Sequence, residues 1–462
     1  MDHVHPDDFD RVVKALVDQF GVSLAEAANR LRSARPCIVV GHDLAVSPTL
    51  QAAFLTLVNL TPRIFKAGGV VADPSNALSS RPCVNTPYPT LREAVIAHGG
   101  VEGTDSLGPN RIVVGTDGDG PGLRLTFDGW AARVGPASWS GAMPQRERCV
   151  LAGVAGAAIA LGEMFFHAAG LSVEATEREV GLSLWSPGTS EDSPDGPGPA
   201  VEFLPGEAWL LGLGHLGQGF AWALSMLPYE EPGKMELLLQ DFDRVVAGNT
   251  GTQALTSVSD VGARKTRVCA DFLRARGFDP GVIDRPFDER SPRSNAEPAL
   301  ALCGFDGQGP REVLDRVNFE RVVVCGVGGT VSDFDELQLH TLPFHKAKAS
   351  EVWPRSTRVG AGEALAASNP FYRSYRETHK CGEVELAGLS VAAPFAGAMA
   401  GALAWAEVLR ELHGGRRCGF VELPLRSLDV RRARFIAKEI ATPRYSKPCL
   451  HAKECETVAV GA

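Results

Sequence analysis

No secretory leader is legible at the start: MDHVHPDDFDRV is polar and acidic, without the basic-then-apolar order a leader needs. A basic surplus is missing too. The 46 Lys and Arg residues are outnumbered by 55 Asp and Glu, giving a formal net charge of −9. That argues against a nucleic-acid binder, which usually carries a basic face. No apolar run reaches the ~20 residues of a bilayer-spanning helix. Two shorter ones, Val150 to Phe166 and Val391 to Trp405, are rich in Gly and Ala, and the first contains Glu163; both read as buried helices. Ten cysteines in 462 residues, with no leader, do not make a disulfide scaffold. Cys37, Cys269, Cys303 and Cys325 lie inside apolar strand or helix patterns and read as inert core thiols. The expectation is a cytoplasmic protein with no membrane or nucleic-acid partner.

What is present is an ordinary globular composition, 44% apolar and 22% charged, with length for two to three domains. The segment Ser183 to Gly206 is dense in Pro, Gly, Ser and acid and reads as a linker or long exposed loop. It separates an N-terminal half (1–182) from residues 207–415 and a basic tail (416–462). A faint repeat spans the linker. Gly153-VAGAAIALG-Glu163 and Gly397-AMAGALAWA-Glu407 share a Gly start, an Ala-rich helical pattern and a Glu ten positions on. Pro36-CIVVGHDLAVSPTLQAAFLTLV reads as a strand, turn and helix whose glycines are lost. Helices are expected at Pro6–Phe20 and Leu24–Ser33, a buried strand at Val322–Val327, and a helix Val261–Arg276 capped by Asp260.

The chemistry is concentrated in one stretch. The strand AWLL runs into Gly212-Leu-Gly214-His-Leu-Gly217, then an apolar helix from Phe220. A second strand, MELLLQ, ends on Asp241-Phe-Asp243. Strand, glycine turn, helix and strand ending in acid make a nucleotide-binding βαβ unit. The glycines let backbone approach phosphate, and the helix N-terminus offers unpaired N–H groups and partial positive charge. Asn249, Gln253, Val261-Gly262-Ala-Arg-Lys265 and the strand ending in Asp306 follow.

These motifs resemble those of the E1-like adenylating enzymes, the superfamily of ThiF, MoeB, HesA and the ubiquitin-activating enzymes. The pattern is D-x-D-x-V-x-x-x-N-x-x-R-Q, then V-G-x-x-K, then a strand ending in D-N followed by an Arg. Asp241, Asp243, Val245, Asn249, Gln253, Val261, Gly262, Lys265, Asp306 and Arg311 are in register. Thr252 stands where the family has Arg, and Gly307 where it has Asn. The resemblance covers about residues 206 to 413. It implies an α/β protein of tandem ThiF/E1-like Rossmann-type adenylation folds, a pseudo-dimer whose first half is inactive, and the chain looks most like the two-halved bacterial E1 proteins of BilD type. ATP would lie on Gly212, Gly214 and Gly217. Lys265 and Arg311 would face phosphates, Asp241 or Asp243 ribose, and Asp306 would hold Mg²⁺. An Arg lent by the inactive half would be Arg11, Arg30 or Arg32.

The resemblance further implies a ubiquitin-like protein as substrate, an E2-like protein as acceptor, a role in antiviral defence and possible homodimers. Cys381, in Arg376-ETHK-Cys381-GEVELAG, is the expected thioester cysteine, with Arg376, His379 and Lys380 favouring its thiolate. Cys449 and Cys455 in the tail are rivals, or with His451 and Cys418 a possible zinc site. His42, His167 and His340 stand near apolar runs and receive no role. The run Arg431-Arg432-Ala-Arg434 reads as a solvated face. Three other readings stay open: adenylation of a sulfur carrier or peptide without a thioester, a nicotinamide-dependent oxidoreductase with Asp241 on the ribose, and a decayed binding scaffold.

Overall fold

The structure, a computed structural model, describes residues 4–105, 108–115, 120–139, 141–290, 292–305, 308–343, 361–379, 382–436 and 447–453. Two helices, α1 (Val13–Phe20) and α2 (Leu24–Ser33), precede the first sheet. The stretch from Pro6 opens as a separate 3-10 turn, Pro6–Asp8, rather than as part of one helix. The first half then runs β1 (Cys37–Val40), α3 (Pro48–Phe65), β2 (Val70–Ala72), α4 (Leu91–Ala97), β3 (Val101–Glu102), β4 (Arg111–Val114), β5 (Leu123–Asp128), β6 (Ala131–Pro136), α5 (Leu151–Ala168) and β7 (Val180–Ser183). The sheet order is β3-β2-β1-β4-β5-β6-β7. Its first five strands are parallel and its last two antiparallel. CIVV and RIVV are buried at every position, as parallel strands covered on both faces must be.

The second half repeats this plan. After a short β8 (Phe203–Leu204) come β9 (Glu207–Leu211), α6 (His215–Met226), β10 (Glu236–Gln240), α7 (Lys265–Arg274), β11 (Gly281–Ile283), β12 (Leu300–Cys303), α8 (Gln308–Leu314), β13 (Arg321–Gly326) and β14 (Glu336–Leu342). Then follow α9 (Ala361–Ser368), α10 (Pro370–His379), α11 (Glu383–Gly388), α12 (Pro394–Leu412), β15 (Cys418–Pro424), β16 (Arg432–Phe435) and β17 (Leu450–His451). The order β11-β10-β9-β12-β13-β14-β15-β16 matches the first sheet strand for strand, with the same switch from parallel to antiparallel after the fifth position and one strand added at the edge. β15 and β16 lie in the stretch the sequence reading leaves in the tail; they complete the sheet instead. β17 pairs with β8, so the tail returns to the linker.

The repeated Gly/Ala helices, α5 and α12, occupy the same place in each half and pack on one another at the centre, with α3 and α6 beside them. Small residues let α6 approach α12 and α3 approach α5. A Cβ at Gly219 would stand 1.9 Å from the Gly397 carbonyl oxygen, and one at Gly153 would stand 2.0 Å from that of Thr49. α5 is long and apolar enough to cross a bilayer, yet 94% of that window is buried inside the fold. The matching acids also share a role. Glu163 accepts from the Thr176 N–H (3.0 Å) and from Arg178 (2.7 Å). Glu407 accepts from the Cys418 N–H (2.9 Å) and pairs with Arg410. Each buried carboxylate ties its helix to the chain leading into the next strand, satisfied as a buried charge must be.

Candidate nucleotide-binding site

β9 is buried at all five positions and delivers the chain to the point where the strand order reverses, the usual ligand crevice of such sheets. The three glycines of the turn have different reasons to be glycine. Gly212 is left-handed (φ +77). A Cβ at Gly217 would stand 1.9 Å from the Gly212 oxygen, whereas one at Gly214 would meet nothing within 4 Å. Gly214 thus opens the start of α6 to an approaching ligand, and no side chain caps that helix.

The two acids at the end of β10 part company. Asp241, 9% exposed, accepts from the Leu213 N–H (2.5 Å) and the Asp243 N–H (2.7 Å). It pegs the glycine turn from a nearly enclosed position. Asp243 has a half-exposed side chain, paired at 2.7 Å with Lys265 Nζ, so of the two it is the one open to a ribose. Lys265 is the first residue of α7, with Arg264 as N-cap. Asp260 does not cap that helix: it closes a separate 3-10 turn, accepting from the Ser257 N–H at 2.7 Å. The turn at 261–264, with Gly262 left-handed (φ +88), leads into Lys265, whose N–H donates to the Asp243 carbonyl (3.1 Å).

Asn249 and Gln253 shape the crevice wall. Asn249 Oδ1 accepts from the Val246 N–H (3.1 Å). Gln253 Oε1, buried, accepts from Gln218 Nε2 (2.8 Å) and Thr256 Oγ1 (2.9 Å). Thr252 is buried as well, and the guanidinium nearby comes from the first half. Arg63 of α3 donates to the carbonyls of Thr250 (3.1 Å) and Thr256, while Asn59 donates to Ala254 (3.0 Å). Neither residue stands out in the sequence, because α3 reads there only as a helix after a decayed turn. Arg311 donates to the Phe305 carbonyl at 2.6 Å, and its charge acts on Cys303, Cys325 and His340; it stands on the β12–β14 side of the turn. Asp306 and Gly307 lie outside the described residues.

Of the three N-terminal arginines, Arg11 is the one whose described hydrogen bonds reach the second half. Arg11 donates to the Ser390 carbonyl (3.4 Å) and its own carbonyl accepts from Ala392. The preceding turn lies on Ala247–Asn249, with the Phe9 oxygen 2.8 Å from a Cβ built at Gly248. Arg30 instead donates to the Ala168 carbonyl (2.6 Å) and lies over Phe20, and Arg32 bonds Asn29.

The equivalent crevice of the first half is filled by the chain itself. At the start of α3, Ser47 and Thr49 hydroxyls both donate to the Glu147 carboxylate, the latter at 2.5 Å. Gln145, held left-handed (φ 56), reaches Asp43 at 3.3 Å. A carboxylate already takes the place where a phosphate would meet that helix N-terminus.

The thiols separate too. Cys381 and Lys380 lie outside the described residues. Beside them, Arg376 pairs with Glu383 at 3.6 Å, so its charge is shared with a carboxylate, and His379 stacks on Tyr375 at 4.2 Å. Cys449 is exposed, with burial of its surroundings pushing its pKa up, and sits at the opposite end of the sheet. There Lys447 pairs with Glu236, the first residue of β10, at 2.8 Å. Cys418 is buried against Arg410 at 3.0 Å and burial pushes it up to about 12. Among the described residues no three His, Cys, Asp or Glu could hold a metal, so Cys449, His451 and Cys418 do not assemble a zinc site; Cys455 lies outside them. Arg431 is no solvated charge: it donates to the Thr189 carbonyl and Glu191. His167 is exposed on α5, and His340 packs on Phe420 at 4.8 Å. A cavity of about 440 Å³ lies away from the crevice, between β7 and residues 428–431; its Arg178 and Arg431 are already committed to ion pairs.

His215 opens α6 partly exposed, its Nε2–H donating to the Ala393 carbonyl (2.8 Å). Burial depresses its pKa from 6.5 to about 4. The unfolded chain therefore takes up this proton first, so stability is lost as pH falls from ~6.5 toward ~4. Between pH 7 and pH 5 the contribution is about 2 kcal/mol. Denaturant titrations at both pH values should show His215→Gln losing that much of the pH dependence; an unchanged difference would contradict the assignment.

Comparisons with known proteins agree with this architecture. Residues 35–184 match the BilD N-terminal domain and residues 204–415 the BilD C-terminal domain. The bacterial E1-like protein BilD of Collimonas sp. (strain OK412) is 35% identical over 424 residues, spanning 89% of this chain and 90% of that protein. Among solved structures, E. coli MccB (16% identity, 47% of this chain, TM-score 0.31) and MccB with ATP (16%, 51%, 0.34) are similar, as is PaaA (16%, 50%, 0.31). This chain spans 59%, 65% and 62% of their lengths. Those likenesses are distant and carry no functional weight.

Proposed function

Because this chain belongs to the BilD family of bacterial E1-like proteins, we propose that it activates a ubiquitin-like protein with ATP in the cytosol, as part of an antiviral conjugation system. The C-terminal carboxylate of that protein attacks the α-phosphorus of ATP; the bond to the β-phosphate oxygen breaks, and pyrophosphate departs. The acyl-adenylate then meets the Cys381 thiolate, which displaces AMP and forms a thioester. An E2-like thiol takes the acyl group by a second exchange, returning Cys381 to a thiol.

The observation that carries this reading is the Lys265–Asp243 pair at the open side of the Gly212–Gly217 turn. Two anions must meet here, so preset donors and cations do most of the work. The turn and the start of α6 offer N–H groups to the phosphates, and Lys265 offers charge. Asp243 suits a ribose hydroxyl, and Arg11 enters from the first half. Mg²⁺, when bound, would neutralise phosphate charge with Asp306 as its ligand. Closure of the first crevice by Glu147 supports one nucleotide per chain.

Thermal melting with Mg·ATP and with NAD(H) separates this reading from an oxidoreductase. A ligand at 100 times its Kd adds about 2.7 kcal/mol, a rise of several degrees. Mg·ATP should produce that rise and NAD(H) none; the reverse would overturn the proposal.

A further inference from the structure

We propose that α1 of the first half is the seat on which the cysteine-bearing insertion is held for acyl transfer, with Asn369 and Tyr372 as the positioning residues that lock it there. This rests on the reading of Cys381 as acyl acceptor. The insertion, α9 to α11, lies between β14 and α12. Its counterpart in the first half, between β6 and α5, is a short strap without a helix among the described residues. The repeated fold does not require these helices; what they add is the segment around Cys381.

Their attachment to α1 is specific. The Asn369 side chain donates to the Val17 (2.9 Å) and Asp18 (3.1 Å) carbonyls, which end α1, and accepts from the Phe371 N–H (2.9 Å), which starts α10. One amide thus caps two helices at once. The Tyr372 hydroxyl donates to Asp18 Oδ1 at 2.6 Å, and Lys14 holds Asp18 Oδ2 at 2.5 Å. Lys14 and Asp18 are nearly inaccessible. Burial pulls Lys14 down and Asp18 up, and their contact works against both shifts. A buried ion pair needs such an extra hydrogen bond to satisfy it, and here the insertion supplies it.

The same N-terminal segment touches the nucleotide motif, through Phe9 and Asp7 against Gly248, and meets the insertion's exit at Ser390 and Ala392. α1 therefore fixes the spacing between the adenylate crevice and the acceptor segment.

The test uses the full chain with the ubiquitin-like protein of its own operon. In a double variant, Asn369→Ala with Tyr372→Phe, ATP–pyrophosphate exchange should stay within twofold of the parent. Single-turnover thioester formation should fall at least tenfold, an effect a general loss of structure would not confine to one step. Tyr372→Phe alone should give a smaller loss in the same step. Unchanged transfer in the double variant overturns the proposal. Equal loss of both steps with a lowered Tm overturns it too, leaving a structural role. If the parent forms adenylate but no thioester, the acceptor reading fails, and this proposal with it.

Discussion

Lys265→Ala should lower ATP–pyrophosphate exchange by about 10²- to 10³-fold, the usual effect of deleting one preset donor to a charged transition state. The lysine is held at 2.7 Å by Asp243 and is nine-tenths buried along its side chain, so it would meet the phosphates already oriented. Stability should change little, because Asp243 is half exposed and is resolvated once its partner is gone. Normal melting with lost exchange is thus the signature. Exchange within threefold of the parent would mean that the cation at the phosphates lies elsewhere, with Arg11 or Arg311 as the next to replace.

Removing the acceptor thiol should have an all-or-none effect on the second step. Cys381→Ala should leave exchange intact and abolish the thioester on a non-reducing gel, while Cys449→Ala should leave both unchanged. The contrast follows from placement. Cys449 stands at the start of the parallel strands, whereas the glycine turn is at their end, roughly 15 Å away along the five residues of β9 at ~3.3 Å each. Reaching the adenylate would require β17 to leave β8 and Lys447 to leave Glu236. A thioester that survives in Cys381→Ala and vanishes in Cys449→Ala or Cys455→Ala would overturn the assignment.

Much of the second half was legible from local pattern. The three glycines and the two acids act over a few residues, so spacing alone locates them, and the Gly/Ala helices with their matching acids exposed the repeat. What stayed hidden depends on contacts between distant segments. Arg63 and Asn59 look like ordinary residues of α3 until 250–256 folds onto them. Glu147 becomes meaningful only when the strap before α5 crosses the start of α3. The cap was misread because Ser257 and Asp260 form a capping box that suits a 3-10 turn as well as a helix, which shifts the start of α7 to Lys265. β15 reads as tail in the sequence because CGFVELP and its counterpart VGLS share little beyond a position in the sheet.

The account is tested most directly by ATP–pyrophosphate exchange with the unmodified full chain, comparing the ubiquitin-like protein bearing a free C-terminal carboxyl with the same protein ending in an amide. Exchange that depends on the free carboxyl is the predicted result. No exchange with either, or equal exchange with both, would contradict activation of a carboxylate in this crevice.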